Sequence, residues 1–226
     1  NLNNLTMLLN LIEACRINSV KKIIWISSST IYQPLSKKIS ETQLNLNLNP
    51  YPVYHGVGWS YRYIEKVIWY YNLKFKMDIK ILRTASIYGP HDNFNVEKSH
   101  VVPSLIKKTL DKNKIINVWG NKKTVRDFVF VDDLVQASLK FVQKSKKNFP
   151  LNFSSGESRT IFNLTKTILK VANKNKKIRF VQSGKSSANF RVLDNSKINK
   201  VLKNIKRTKL ETGLKLTIDW YAKNYK

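Results

Sequence analysis

The chain has 226 residues, enough for one large domain, and 42% of them are hydrophobic, so it can bury a core. It has no run of about 18 apolar residues and its start lacks the features of a signal peptide, so we expect no membrane span and no leader. The single cysteine, Cys15, excludes an internal disulfide and is typical of the reducing cytoplasm.

The formal net charge of +27 has two interpretations. A strongly basic surface can bind nucleic acid. The excess, however, is mostly lysine scattered over the predicted helices and loops, and no helix-turn-helix, finger or aromatic RNA-binding motif accompanies it. We therefore favour a dispersed positive surface that attracts small anions, and we expect no nucleic-acid partner.

The first third of the chain alternates helix and strand. Leu2 to Ile17 has apolar residues at helical spacing, and Val20 to Ile26 is rich in β-branched residues, as strands are. A loop with three prolines follows at residues 33–53. Tyr54 to Leu73 then predicts a long amphipathic helix, and Ile79 to Leu82 predicts a buried strand.

The rest of the chain continues the alternation. We predict helices at His100 to Asn113, Leu134 to Gln143, Thr160 to Ala172, Asp194 to Leu202 and Leu210 to Tyr225, strands at Ile115 to Trp119, Val125 to Val131, Leu151 to Phe153 and Lys177 to Val181, and a polar loop at residues 183–189. Asp132-Asp133 and Thr160 carry oxygens suited to capping the helices after them. Such alternation predicts an α/β fold with a parallel sheet.

Polar side chains follow two of the predicted strands. Ser27 to Thr30 are four hydroxyl residues after the first strand, and the strand at Ile79 to Leu82 leads into a loop that begins at Tyr88-Gly89-Pro90 and ends at His100. The carboxyl ends of parallel strands are where open α/β sheets bind ligands, so we expect a site here.

Five segments, in this order, resemble one enzyme family: Ile26 to Tyr32, Tyr88 to Val101, Trp119 to Asp133, Asn152 to Gly156 and Leu210 to Leu214. They resemble the NAD-dependent epimerase/dehydratase family of the extended short-chain dehydrogenase/reductase superfamily. The loop Tyr-Gly-Pro-His-Asp-Asn-Phe is most similar to the GDP-L-fucose synthase-like nucleotide-sugar epimerases. The resemblance runs from about residue 5 to residue 221.

This resemblance implies a partial Rossmann-type doubly wound parallel sheet, without its first βαβ units, and a smaller C-terminal α/β substrate domain. Residues 1–90 would belong to the NAD(P)-binding domain and residues 91–226 mainly to the substrate domain, with residues 120–145 returning to the first.

The resemblance also implies an activity and an assembly. The cofactor would be NAD or NADP, and the substrate a nucleotide-diphosphate sugar that is transiently oxidised and then epimerised, dehydrated or reduced. The helices at Leu2 to Ile17 and Tyr54 to Leu73 would pair across a two-fold axis into a homodimer.

The sequence departs from the family in two ways. No Gly-x-x-Gly-x-x-Gly turn, which holds the dinucleotide pyrophosphate, occurs in it, so we expect a fragment that holds NAD(P) weakly. The Tyr-x-x-x-Lys pair is also missing: with Glu65 setting the register, Val57 stands at the tyrosine and Tyr61 at the lysine. Val57 cannot exchange a proton, and Tyr54 is a candidate substitute.

The resemblance assigns roles to individual residues. The candidate catalytic residues are Ser28, His100, Tyr54 and Tyr61. The candidate cofactor-binding residues are Ser27, Ser28, Tyr61, Thr84, Ala85, Ser86 and Ile87. The candidate substrate-binding residues are Asn93, His100, Lys108, Trp119 and Arg126.

The chemistry of these side chains fits the roles unevenly. His100 can exchange protons near neutral pH, and the guanidinium of Arg126 suits a diphosphate. Ser28 could instead cap the strand end, and Trp119 could be a core residue. Thr30 stands where fucose synthases carry a cysteine acid/base and cannot replace it. No Cys/His cluster has metal-ligand spacing.

Two other classes of function stay open. A homologue that binds nucleotide sugars without turnover would explain the lost Tyr-x-x-x-Lys pair. A basic nucleic-acid-binding domain is suggested by charge alone.

Overall fold

Helices and strands alternate along the whole described chain. The computed structural model describes residues 2–95, 97–145, 148–181 and 188–225. The helices are α1 (Leu2–Ile17), α2 (His55–Lys74), α3 (Val101–Leu110), α4 (Val131–Lys144), α5 (Ile161–Val171), α6 (Ser196–Val201) and α7 (Leu210–Asn224). The strands are β1 (Ile23–Ser28), β2 (Ile79–Thr84), β3 (Ser86–Tyr88), β4 (Ile115–Trp119), β5 (Val125–Arg126), β6 (Phe128–Phe130), β7 (Leu151–Phe153), β8 (Arg159–Thr160), β9 (Lys177–Val181) and β10 (Phe190–Arg191).

A parallel sheet with the order β1-β2-β7 organises the site. The register of β1 and β2 runs from Ile23 beside Ile79 to Ser28 beside Thr84. Every residue of β2 is buried, because a central strand is covered on both faces. The two strands therefore end side by side, with a serine and a threonine at the same edge of the sheet.

Smaller sheets complete the fold. β3 pairs with β6 and β4 with β9, both parallel, while β5 lies between a parallel β10 and an antiparallel β8. In the pairing of β10 with β5, Arg191 lies directly beside Arg126.

Apolar helix faces pack against these sheets. Leu8 and Ile12 of α1 and Ile64 and Ile68 of α2 form one core cluster with β2, and burial of each such side chain contributes about 1.5–3 kcal/mol. A larger cluster joins α3, α5 and α7 to β4 and β6. No helix within the described residues is long and apolar enough to cross a membrane.

The predicted α/β class and the predicted parallel strands are confirmed. Thr160 caps α5 as expected, since its hydroxyl oxygen accepts a hydrogen bond of 3.1 Å from the backbone N–H of Asn163. The loop predicted at residues 183–189 lies largely outside the described residues.

The strand predicted at Val125 to Val131 is wrong in its continuity. It is split at Asp127, whose backbone carbonyl accepts a hydrogen bond of 3.2 Å from Ser86 and whose carboxylate accepts one of 2.6 Å from the hydroxyl of Ser155. The bond from Ser86 belongs to the pairing of β3 with β6, so the chain changes sheets at Asp127, from the partners of β5 to that of β6. Tyr88, predicted to begin a loop, is instead the last residue of strand β3 (Ser86–Tyr88), which pairs with β6.

The cap predicted at Asp132-Asp133 is also wrong. α4 begins at Val131, with Phe130 at its N-cap position and no side-chain cap bond. The carboxylate of Asp133 instead accepts hydrogen bonds from the backbone N–H of Thr208, at 2.7 Å, and from its hydroxyl, at 2.8 Å. Both aspartates lie in the first turn, where the helix dipole favours negative charge.

Candidate functional site

A cavity of about 750 Å³ opens at the carboxyl ends of β1 and β2. The predicted residues that line it are Ser27, Ser28, Tyr54, Tyr61, Thr84, Ala85, Ser86, Ile87 and His100. They come from both strand ends, from the beginning of α2 and from the start of α3. The structure therefore brings together most of the residues that the sequence singled out.

The strand-end hydroxyls are already hydrogen bonded to the protein. Ser27 donates its hydroxyl to Glu65 at 2.6 Å and is 1% exposed, so its side chain is not available to a ligand. The oxygen of Ser28 accepts hydrogen bonds from the backbone N–H of Thr30 at 3.2 Å and from its hydroxyl at 3.0 Å. Ser28 thus caps the turn after β1, and its own hydroxyl proton remains to be donated.

A buried polar network lies beneath these residues. Arg83 forms an ion pair of 2.6 Å with Glu65 and donates to the hydroxyl oxygen of Tyr32 at 2.9 Å. Tyr32 in turn donates to Asn152 at 2.7 Å, and burial raises the pKa of its phenol to about 12. Through Ser27, this network links α2 to all three strands of the main sheet.

The beginning of α2 supplies Val57 and Tyr61 to the cavity wall. Burial raises the pKa of the Tyr61 phenol, and its ring centroid lies 5.7 Å from that of Trp25. Val57 presents only hydrocarbon to the cavity. Tyr54 is not on the helix, as the sequence had suggested, but at its N-cap position.

The end of β2 offers an unused polar group. The hydroxyl oxygen of Thr84 is buried and has no hydrogen-bond partner. The cavity is lined in sequence by Thr84, Ala85, Ser86 and Ile87. The unpartnered oxygen of Thr84 therefore suits a hydrogen bond to the carboxamide of a nicotinamide ring. The sequence contains no Gly-x-x-Gly-x-x-Gly turn for a dinucleotide pyrophosphate. The residues present therefore fit the nicotinamide end of a cofactor and not its phosphates.

The loop after Tyr88 closes one side of the cavity. His91, Asp92 and His100 all line it, and burial raises the pKa of the Asp92 carboxyl although the nearby His100 opposes this. His100 occupies the N-cap position of α3 without forming a side-chain cap bond. Its exposed imidazole is thus free to face a ligand.

A second cavity, of about 230 Å³, adjoins the first. Tyr54, Ser86, Ile87, His100 and Arg191 line both cavities, so the two form one continuous cleft. The other predicted residues in the second cavity are Arg126 and Trp119. Trp119 is 66% exposed and is therefore not a core residue.

Two guanidinium groups meet in this second cavity. Arg126 is 5% exposed, and burial together with the charge of Arg191 lowers its pKa. One terminal nitrogen of Arg191, Nη1, is buried and has no hydrogen-bond partner. Like charges directly opposite each other on paired strands are unfavourable. The pair is therefore suited to an anion that would bridge it.

Arg191 was missed in the sequence. It lies 65 positions after Arg126, in none of the segments that resemble the family. Arginine is much rarer than lysine in this chain, and that contrast is the signal that could have drawn attention to Arg191.

Two predicted substrate-binding residues lie outside both cavity linings. Asn93 is exposed, and its side-chain oxygen accepts a hydrogen bond of 2.9 Å from Asn95. Lys108 donates to the backbone carbonyl of Asn117 at 3.0 Å, and its ammonium lies 5.1 Å from the ring centroid of Trp119. Lys108 thus supports an aromatic residue of the cleft without lining it. Within the described residues, no group of three or more His, Cys, Asp or Glu could hold a metal ion.

Comparisons with known proteins identify a family. A family model described as NAD dependent epimerase/dehydratase family matches residues 1–152. The GDP-L-fucose synthase of Escherichia coli (strain K12) is 28% identical over 95% of this chain and 71% of its own length.

Solved structures share the fold. A GDP-L-fucose synthetase from Naegleria fowleri, bound to NADP, matches with a TM-score of 0.91 and 24% identity over 99% of this chain and 70% of its own. A UDP-glucose 4-epimerase from Thermotoga maritima, with UDP-glucose, matches with a TM-score of 0.86 and 26% identity over 97% of this chain and 69% of its own. Both are Rossmann-type enzymes, which confirms the predicted fold type.

Proposed function

Because the chain belongs to the NAD dependent epimerase/dehydratase family, we propose that it acts on a nucleotide-diphosphate sugar with NAD or NADP as cofactor. The reaction would be an epimerisation, dehydration or reduction that proceeds through transient oxidation of the sugar. One observation carries the proposal: a single cleft joins strand-end hydroxyls and His100 to a pair of arginines. Nothing in the comparisons supports a nucleic-acid-binding domain.

Each part of the cleft has a role in this proposal. Arg126 and Arg191 bind the diphosphate, and the exposed ring of Trp119 stacks on the base or the sugar. The sugar then extends into the larger cavity, between Ser28 and His100. Asn93 and Lys108 remain predicted substrate contacts, which would require the loop or the lysine side chain to move.

The cofactor would enter the larger cavity beside Thr84, Ala85, Ser86 and Ile87, with Tyr61 and Ser28 facing it. When bound, a nicotinamide supplies a hydride acceptor and donor. The hydroxyl of Ser28 donates a hydrogen bond to the sugar oxygen, and His100 is the candidate general acid or base. Tyr54 is our candidate for the phenol that Val57 cannot provide.

Turnover tests this proposal directly. The chain would be incubated with NAD(P)H or NAD(P)⁺ and a panel of GDP-, UDP- and dTDP-sugars, and the sugars followed by NMR. We expect conversion of one of them, slow because the phosphate turn and the Tyr-x-x-x-Lys pair are absent. Binding of a nucleotide sugar without any conversion would identify a silent binding homologue, and absence of binding would refute the proposal.

The division at about residue 90 into cofactor and substrate parts also remains our proposal, as does a cytoplasmic location.

We further propose a homodimer through α1 and α2. Their outward faces expose large apolar side chains: Met7 is 63% exposed, Leu11 55%, Tyr63 53% and Trp69 59%. Exposed large apolar side chains grouped on a protein surface commonly mark an interface. This group of side chains joins two helices that already pack together, as a four-helix interface requires.

Light scattering after size exclusion checks the dimer. The chain is expected to elute as a dimer, and Trp69→Glu as a monomer, because a carboxylate would be buried in the apolar interface. Trp119→Glu is the matched control: Trp119 is 66% exposed but lies on β4, so its replacement should leave the dimer intact. A monomeric wild-type chain would contradict the proposal.

A further inference from the structure

The aromatic ring of Tyr54 packs against Arg191 where the two cavities meet. Tyr54 is the N-cap residue of α2, and both residues line both cavities. The guanidinium carbon of Arg191 lies 4.6 Å from the centroid of the ring. An aromatic face attracts a cation within about 6 Å of its centroid. The two side chains therefore form a cation–π contact inside the cleft.

Both partners in this contact have a defined backbone. Pro52 begins a short 3-10 turn before α2, and the backbone N–H of Tyr54 donates to the carbonyl of Tyr51 at 2.7 Å. Arg191 lies on β10, in register with Arg126 of β5. The contact thus connects the N-terminus of α2 to the strand that carries one of the two cleft arginines.

The ring stabilises the charge of Arg191 in a way that a carboxylate would not. Arg83 is compensated by Glu65, which accepts hydrogen bonds from its guanidinium. No carboxylate in the described parts of the chain forms such an ion pair with Arg191, although Arg126 stands beside it with a like charge. An aromatic face attracts the cation without accepting its N–H donors in the way that a carboxylate does.

One donor of Arg191 is accordingly left for a ligand. Its Nη1 is buried and has no hydrogen-bond partner. A guanidinium binds phosphate best through N–H groups that nothing else occupies. A cation held by a ring is therefore better prepared for an anion than a cation held by an acid.

We propose that Tyr54 is a positioning residue of the diphosphate site: its ring holds the guanidinium of Arg191 beside Arg126 and leaves Nη1 for a phosphate oxygen. This inference rests on the proposed function, since it concerns the same diphosphate, and it concerns the ring of Tyr54 and not its hydroxyl. Without the ring, repulsion from Arg126 displaces the Arg191 side chain. A ligand would then have to order that side chain again, which weakens binding.

Calorimetric titration with GDP and with inorganic pyrophosphate tests the role of the ring. Tyr54→Leu keeps an apolar side chain but removes the aromatic face, and it should bind both probes about three- to tenfold more weakly than wild type, the cost of immobilising one long side chain. Tyr54→Phe keeps the aromatic face and should bind within about twofold of wild type.

Tyr70→Leu is the matched control. The ring of Tyr70 also contacts a cation, since Nζ of Lys74 lies 5.3 Å from its centroid, but Tyr70 lines neither cavity. This variant should bind both probes as wild type does. Thermal unfolding of each variant verifies that it is folded, and Tyr54→Met takes the place of Tyr54→Leu if the latter is not.

A double-mutant cycle shows whether the ring acts through Arg191. In an Arg191→Ala chain, Tyr54→Leu should cause no further loss of affinity, because no guanidinium remains for the ring to hold. The same loss in both backgrounds would overturn the proposal, since the ring would then contact the ligand directly.

The other outcomes separate the positioning role from the diphosphate site itself. If Tyr54→Leu binds as tightly as wild type, the positioning role is refuted and the diphosphate site stands. If Tyr54→Phe binds as weakly as Tyr54→Leu, the hydroxyl and not the ring contributes, which also refutes it. If wild type binds neither probe, the diphosphate site and the role of Tyr54 both fail.

Discussion

Replacement of Arg126 by alanine is expected to lower the affinity of the chain for GDP about 100-fold. Truncating one member of a buried charged contact costs about 2–5 kcal/mol, and 1.4 kcal/mol corresponds to a factor of ten. Arg126 is 5% exposed and lies directly beside Arg191 on the paired strand, so solvent cannot replace its contribution to an anion. Arg191→Ala should have a similar effect.

Calorimetry of GDP binding measures this loss. Arg179→Ala is the matched control, because Arg179 is an exposed arginine on β9 and lines neither cavity. Its removal changes the net charge by the same amount, and should change the affinity by less than about twofold at physiological salt because exposed charges are screened. An Arg126→Ala protein that bound GDP as tightly as the control would place the nucleotide elsewhere.

Replacement of Glu65 by alanine is expected to lower the free energy of unfolding by about 3–5 kcal/mol, because breaking a buried ion pair leaves a charge without its partner. Arg83 is 4% exposed, and Glu65 supplies both of its carboxylate oxygens to it. Without them, the guanidinium keeps only the phenol of Tyr32 as a neutral acceptor among the contacts described. The strand ends that carry Ser28 and Thr84 should loosen together.

Urea unfolding followed by tryptophan fluorescence measures this change. Asp219→Ala is the control, since the ion pair of Asp219 with Lys215 is of the same length, 2.6 Å, but exposed, and its loss should hardly move the midpoint. Replacing both partners, Glu65→Leu with Arg83→Met, should cost less than Glu65→Ala alone, because no unpaired charge remains. If Glu65→Ala were as stable as the control variant, the ion pair of Glu65 with Arg83 would have to be exposed to solvent.

Much of the fold could be predicted from local sequence. The helical spacing of α1, α2 and α5, the β-branched run of β1 and the capping hydroxyl of Thr160 depend on residues close together in the chain. The polar residues after β1 and β2 were predicted to meet because parallel strands place their carboxyl ends together. These predictions rest on periodic patterns or on residues that are close together in the chain.

Predictions failed where a distant partner competed with a local preference. Asp133 has the chemistry of a helix cap, but Thr208, 75 positions later, takes its carboxylate. Asp127 interrupts an alternating strand because the chain changes sheets there, while Ser155, 28 positions later, donates its hydroxyl to the carboxylate. Neither partner can be identified from the spacing of the residues around each aspartate.

The sequence by itself determined the class of fold, most of the helices and strands, the edge of the sheet where a ligand would bind, and the family that the chain resembles. Only the tertiary structure decided that Arg191 stands beside Arg126, that the ring of Tyr54 packs against Arg191, and that Ser27 is committed to Glu65. The physical reason is that these contacts join segments 38 to 137 residues apart. Strand register and packing determine such contacts, and no local sequence pattern predicts either of them.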